Sequence, residues 1–234
     1  MKNKRIVILQ PAYIPWLGYF EQLDMADVFI FLDHVQYTKR CWYNRNYITD
    51  KQGNKILLTI PLQNIHRNTS IEFTELNEEH NDWICRHLKT VKHNYCKTRY
   101  FDEVYSLFEK ELNNNYKYLG ELTISIIERI SEYLGYNTQL YKSSDFEFNN
   151  KKEYLMLEIC RKFSADVLLT GESGKDLYDY DFFISNGIKV EYQKYKHPVY
   201  QQQHKNFVPY LSVIDLLFNY GKKSRDIIRT VVSY

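Results

Sequence analysis

Several common features are missing from this 234-residue chain, and each absence excludes a class of function. No two of its four cysteines, Cys41, Cys85, Cys96 and Cys160, stand in a CxxC pair. Neither a zinc knuckle nor a thioredoxin-type redox site is therefore expected. The seven histidines contain no H-x-x-x-H pair, so no metal is expected either. No apolar stretch approaches the roughly 20 residues of a membrane span. The basic start (Lys2, Lys4, Arg5) runs into only four apolar residues, Ile6 to Leu9, before Gln10 and Pro11. That is too short for the core of a signal peptide. The expectation is a cytoplasmic protein without membrane contact. Charge of one sign is scarce too: the net charge is +2 with 26% charged residues. Nucleic acid is not an expected partner, because its binding needs a basic footprint. Internal repeats, low-complexity tracts and linkers are absent.

What is present suits a globular enzyme or binding protein. The hydrophobic fraction is 44%, ample for a substantial core. The 22 tyrosines stand out. Each pairs an apolar ring with a hydroxyl that needs a partner, which suits clefts and interfaces. The alternative is coding bias in a Lys-, Asn- and Ile-rich sequence. The length fits one domain over 1–234, with a helical insertion at about 80–135.

The opening, Ile6 to Asn46, organises the rest. The apolar run Ile6–Leu9 breaks into a loop with Pro11 and Pro15, then a short helical segment, then the apolar run Val28–Leu32. Lys55–Leu62 is a third run, and Arg45 to Leu62 reads as a hairpin around the turn Asp50–Gly53. Ile71–Thr74 reads as a short edge strand. Helical periodicity follows over Asp82–Tyr95, Asp102–Asn113 and Tyr118–Leu134, the last closed by Gly135. Strands are predicted at Thr138–Tyr141, Ala165–Thr170 and Ile188–Tyr192, with helices over Lys151–Phe163 and part of Asp176–Asn186. The tail reads as two helices, Ser212–Tyr220 and Lys223–Val232. The pattern defines an α/β, Rossmann-like fold with a mainly parallel sheet and helical layers.

In such a sheet, loops after strands gather at one edge and form the ligand crevice. The loops Gln10–Tyr19, Asp33–Arg45, Gly171–Tyr178 and His197–His204 are therefore the candidates. Helix N–H groups at Gly18 suit a phosphate or carboxylate. Gly171-Glu-Ser173-Gly174-Lys175 is a candidate anion loop, but two residues between its glycines are too few for a P-loop. Ser173 lacks the residue before Gly174 that a nucleophile elbow requires. For each of these loops an ordinary structural turn is the competing reading. Asp33, His34 and His197 are the candidate proton acceptors, whereas His87 lies on an apolar helix face and reads as core. Lys39 and Arg45, set among aromatics, suit a small anion such as a nucleotide-sugar diphosphate.

Five motifs carry a family resemblance: Q-P-A-Y-I-P-W-L-G-Y-F at Gln10–Phe20, F-L-D-H-V-Q-Y at Phe31–Tyr37, N-R-N at Asn44–Asn46, L-T-G-E-S-G-K-D-L-Y at Leu169–Tyr178, and Y-K-H-P-V-Y-Q at Tyr195–Gln201. Together with L-S-V-I-D-L-L-F-N-Y-G at Leu211–Gly221 they resemble the WbqC-like family, in its order and over nearly the whole chain. His34 stands where that pattern leads one to expect an acidic residue. The resemblance implies a bacterial protein from a locus for O-antigen or other surface-polysaccharide (lipopolysaccharide) synthesis. Some members carry the label glycine transferase. It implies transfer of a small acyl or aminoacyl group onto an amino sugar or its nucleotide-linked form. Arg45 and Lys39 would hold the diphosphate, and Tyr13, Trp16 and Tyr19 would stack on base or sugar. Asp33, His34 or His197 would deprotonate the amine, and Gln10, Gln36 and Asn44 would orient the acyl group. Tyr178 and Tyr200, inside matching motifs, are further substrate-binding candidates. No cofactor is implied beyond a nucleotide or nucleotide-activated sugar. The opening is also similar to that of pantothenate synthetase, of nucleotidylyltransferase-like fold. The histidines of that enzyme's H-x-G-H motif fall here at Trp16 and Tyr19, so the similarity extends to fold alone. Two alternatives remain: a non-catalytic nucleotide-sugar-binding protein of a biosynthetic complex, and an ATP-dependent amide ligase.

Overall fold

A computed structural model describes residues 3–63, 65–77, 82–172, 174 and 179–229. Five strands, β1 (Arg5–Leu9), β2 (Val28–Phe31), β5 (Gln139–Lys142), β6 (Val167–Thr170) and β7 (Lys189–Tyr192), form one sheet. Their order is β5-β2-β1-β6-β7 and every neighbouring pair is parallel. β3 (Arg45–Thr49) and β4 (Lys55–Thr59) pair antiparallel as the expected hairpin outside that sheet. The fold is α/β and Rossmann-like.

The central strands are buried on both faces, which is why they read as unbroken apolar runs. Period-2 alternation sorts the side chains. Val7, Phe29, Phe31 and Leu169 pack into one cluster with α1 (Leu17–Met25), α4 (Leu119–Leu134) and α7 (Val213–Tyr220). Ile6, Ile8, Val28, Ile30 and Leu168 face the other way, against α5 (Lys152–Lys162) and Phe183 of α6 (Tyr180–Ser185). The chain between β2 and β5 contains the hairpin, α2 (Asp82–Tyr95), α3 (Phe101–Leu112) and α4. Val91, Phe108, Leu122 and Ile126 from these helices share the cluster that covers Phe29. α4 ends at Gly135, whose φ of +69° is the left-handed geometry glycine adopts at low cost. The last helix, α8 (Ser224–Arg229), is tied to α1 through Arg225 and Asp24 at 2.8 Å.

One expected element is absent. Ile71–Thr74 forms no strand; the N–H groups of Ile71 and Glu72 donate to the carbonyls of Val35 and Asp33, both at 3.0 Å. Its partner is the irregular chain leaving β2, which offers no ladder to extend. A single bridge, Gln36 to Ser70, is all the pairing achieved there.

Candidate functional site

Counted from β1 outward, the strand order reverses between β1 and β6. In open parallel sheets the crevice beyond the carboxyl ends at such a reversal is the usual ligand position. The chain leaves β1 and β6 at this edge, flanked by the chain leaving β2, β5 and β7.

The β1 loop is held from outside the sheet. Tyr13 N–H donates to Tyr43 O at 3.0 Å, and Val213 N–H to Pro15 O at 2.8 Å. Asn46, in β3, donates its amide to Ile14 O at 2.9 Å. Ile14 has a φ of +41°, a costly conformation for a β-branched residue. Trp16 caps α1 and lays its indole over Gly18; a Cβ there would stand 2.3 Å from the ring. Close approach of the indole is thus one reason for glycine at this position.

At the ends of β2 and β5, three residues form a relay. Asp33 is buried, and its carboxylate accepts from Ser143 Oγ at 2.9 Å, Ser144 N at 2.9 Å and Ser144 Oγ at 2.7 Å. Ser143 Oγ lies 2.6 Å from His34 Nδ1 and also receives the N–H of Asp33 at 3.1 Å. Because the serine proton goes to Asp33, the contact is satisfied when His34 carries its proton on Nδ1. That tautomer leaves Nε2 with a free lone pair. The ring stacks on Phe148, with centroids 5.8 Å apart. Burial lowers the His34 pKa while the charge of Asp33 opposes the shift. Glu72 lies close by, its pKa raised by burial and by Asp33.

At the ends of β6 and β7 the environment is aromatic. Trp16 packs edge-on to Tyr195, with centroids 4.6 Å apart, and Tyr195 OH lies 2.8 Å from His197 Nδ1. The N–H of Tyr210 donates to His197 Nε2 at 3.3 Å, so the ring proton resides on Nδ1 and points at Tyr195. Burial pushes the His197 pKa down to about 4. His197 is a neutral ring with both nitrogens engaged. Beneath lies a buried polar group. Gln193 donates to Gly18 O at 2.9 Å and to Glu21, and accepts from Gln22 at 2.8 Å. Burial raises the Glu21 pKa against the hydrogen bond from Gln193.

The other expected residues divide. Tyr13, Tyr19 and Tyr200 are buried with their hydroxyls bonded to His87 Nδ1 (2.9 Å), Gln10 O (3.3 Å) and Asp215 Oδ1 (2.9 Å). They are framework residues whose rings are covered by protein. Asn44 is buried as well, spanning Tyr37 OH (3.2 Å) and Ile60 O (2.8 Å). Gln10 is half-buried, and Gln36 and Lys39 are exposed. Arg45 opens β3, and its Nε is buried with no hydrogen-bond partner among the described residues. Gly174 is buried; a Cβ there would stand 2.5 Å from Thr170 Oγ1, so the β6 loop turns too tightly for a side chain. Its N–H donates to Gly171 O at 2.9 Å. Ser173, Lys175 and Tyr178 lie outside the described residues. His34 and Asp33 are brought together, whereas His197 belongs to a separate cluster. Ser143, Ser144, Glu21, Gln22, Gln193 and Asp215 were not foreseen. The one available signal was Glu21-Gln22 inside a helix that buries every residue from Leu17 to Leu23.

A parallel sheet with this order, and polar groups collected beyond its carboxyl ends, defines a Rossmann-like α/β protein. The chain belongs to the WbqC-like protein family, whose model matches residues 10–227. A relative from Mycobacterium tuberculosis (strain H37Rv), the uncharacterized protein Rv1507c, is 32% identical over 230 residues, covering 97% of this chain and 98% of its own. No solved structure matches. Among the described residues, no helix is long and apolar enough to cross a membrane.

Proposed function

We propose that the protein transfers a small acyl or aminoacyl group, glycyl included, onto the amine of a nucleotide-linked amino sugar for bacterial surface polysaccharide. The observation that carries this reading is the Asp33–Ser143–His34 relay at the carboxyl edge of the sheet. An amine is largely protonated near pH 7, so acyl transfer to it needs a base. His34 Nε2 takes the proton as the amine attacks the acyl carbonyl. The tetrahedral intermediate then expels the donor's leaving group, which receives that proton from His34. Ser143 and Asp33 fix the tautomer and orient the ring. Arg45, whose Nε has no hydrogen-bond partner among the described residues, and Lys39 hold the diphosphate. Trp16, Tyr195 and His197 form an apolar wall near the crevice, and Gln10 and Gln36 orient the acyl group.

The test is turnover of a defined amino-sugar nucleotide with an activated acyl donor. The expected result is a loss of about 10²–10⁴-fold in His34→Gln, the range of one general base, with the melting temperature little changed. Ser143→Ala should lose activity partly and shift the pH–rate profile. Undiminished turnover in His34→Gln would refute the assignment. Binding of the nucleotide sugar by the wild type with no product from any donor would favour a non-catalytic binding protein instead.

A further inference from the structure

A cavity of about 560 Å³ lies away from the residues just described, lined by the hairpin turn, the end of α2, the 97–99 segment that follows it, the 201–203 segment and the end of α7. Its lining contains three cations, Lys51, Lys97 and Arg99, and no carboxylate. None of the three forms an ion pair among the described residues; Arg99 only covers the Tyr100 ring at 5.5 Å. Like charges gathered without counter-ions repel one another, so the arrangement is stabilised by an anion.

Helix dipoles account for only part of this charge. The carboxyl ends of α2 and α7 border the cavity, and each presents roughly half a negative charge. Subtracting them from three cations leaves about two positive charges for a ligand. The polar lining is built rather than incidental. Gln202 is 5% exposed and is fixed by bonds to Asp215 Oδ1 at 3.1 Å and Val208 O at 2.9 Å. Gln201 N–H donates to Tyr220 OH at 3.1 Å. Gln203 Nε2 is buried with no hydrogen-bond partner among the described residues, a donor in want of an acceptor. Asp215 holds the segment by also accepting from Tyr200. The volume lies within the roughly 300–1,000 Å³ of small-molecule sites, well above what a single phosphate fills.

We propose that this cavity binds a phosphorylated small molecule of nucleotide size carrying about two negative charges. Lys97 and Arg99 grip the phosphates, Lys51 approaches from the hairpin, and the amides of Gln201 and Gln203 complete the donors. The site shares no residue with the transfer site above and does not depend on that reading.

The probe is inorganic pyrophosphate, titrated calorimetrically and by thermal shift at low ionic strength. The expected result is saturable binding with a rise in melting temperature of about 5–11 °C at 100 times Kd. The charge reversal Lys97→Glu/Arg99→Glu should weaken this binding at least tenfold. Both residues are exposed, so the unliganded variant should melt near the wild type. Lys110→Glu, exposed on α3 outside the cavity, should bind as the wild type does, and Arg45→Gln should retain this binding. Absence of binding in the wild type, or equal weakening in Lys110→Glu, would overturn the proposal. A binding constant unchanged by Lys97→Glu/Arg99→Glu would do the same.

Discussion

Asn46 offers the most discriminating test of how the site is held, because its amide opposes a backbone outlier. The Ile14 carbonyl accepts from Asn46 Nδ2 at 2.9 Å, the Tyr13 carbonyl lies at 3.4 Å, and Asn46 Oδ1 receives Tyr47 N–H at 2.8 Å. Asn46→Ala leaves buried backbone groups unpaired, at about 1–3 kcal/mol each, so a loss of about 2–4 kcal/mol is expected. For a chain of this length that lowers the melting temperature by roughly 4–16 °C. Asn46→Asp is nearly isosteric but turns an acceptor toward the Ile14 carbonyl. At pH 7 an uncompensated buried charge costs about 3–5 kcal/mol, so this variant should be the less stable of the two. The pH dependence separates electrostatics from shape. Burial and facing carbonyls raise the folded-state pKa of the introduced carboxyl above its unfolded value of about 3.9. Stability is then fully present below the unfolded value and is lost as pH rises through the folded one. Protonation also supplies an O–H that donates to Ile14. Urea unfolding between pH 7 and pH 5 should therefore show the gap to wild type narrowing for Asn46→Asp and staying constant for Asn46→Ala. Equal stability of Asn46→Asp and wild type at pH 7 would show that the amide does not hold the loop. A gap that widens on acidification would refute the electrostatic account.

Two further outcomes follow from the same structure. Gly18→Ala places a methyl 2.3 Å from the Trp16 indole, so the ring must swing away. A cost of about 1–3 kcal/mol and a red-shifted tryptophan emission are expected, and an unchanged spectrum would contradict the packing. His87 is buried between Tyr13 and Trp83, and burial lowers its pKa to about 4. The folded state thus binds fewer protons than the unfolded state, and stability present above about pH 6.5 is lost as pH falls toward 4. The contribution is on the order of 3 kcal/mol, and His87→Gln should flatten the wild-type decline measured by urea unfolding. Parallel pH profiles for the two proteins would disprove it.

The elements were legible because the forces that make them are local. Ile6–Leu9 and Val28–Leu32 read as buried strands from apolar continuity, and Gly135 marked the end of α4 by its left-handed geometry. Ile71–Thr74 misled because β propensity carries no information about whether a partner strand stands alongside. The relay could be half read. Asp33 and His34 are adjacent in sequence, but Ser143, which joins them, lies 110 residues from Asp33 and reaches it only through the β2–β5 pairing. The tyrosines were the hardest to place. A phenol suits a cleft or a core equally, and the choice depends on a distant acceptor. For Tyr13 and Tyr200 those acceptors are His87 and Asp215.

The parallel sheet provides a position for the site, but its rigidity comes from elsewhere. Tyr43 and Asn46, the Pro15 contact with Val213 and the bridge from Trp16 to Ser212 all grip the β1 loop from elements outside the sheet. That grip opposes a strain of about 1–2 kcal/mol at Ile14. Strained backbone persists only where its surroundings over-determine it, and it concentrates at ligand-handling loops. The hairpin and α7 thus hold Trp16 beside Tyr195 before any ligand arrives. A loop already ordered contributes no ordering cost on binding, which is the advantage of preorganisation. The same hairpin holds Arg45, proposed above to grip a diphosphate, and Lys51, which lines the basic cavity. Asp215 of α7 accepts from Thr49 at the end of β3 and from Gln202 in the cavity wall, at 3.2 and 3.1 Å. The hairpin is therefore the structural element common to both proposed sites, and one buried carboxylate fixes its position relative to the 201–203 segment.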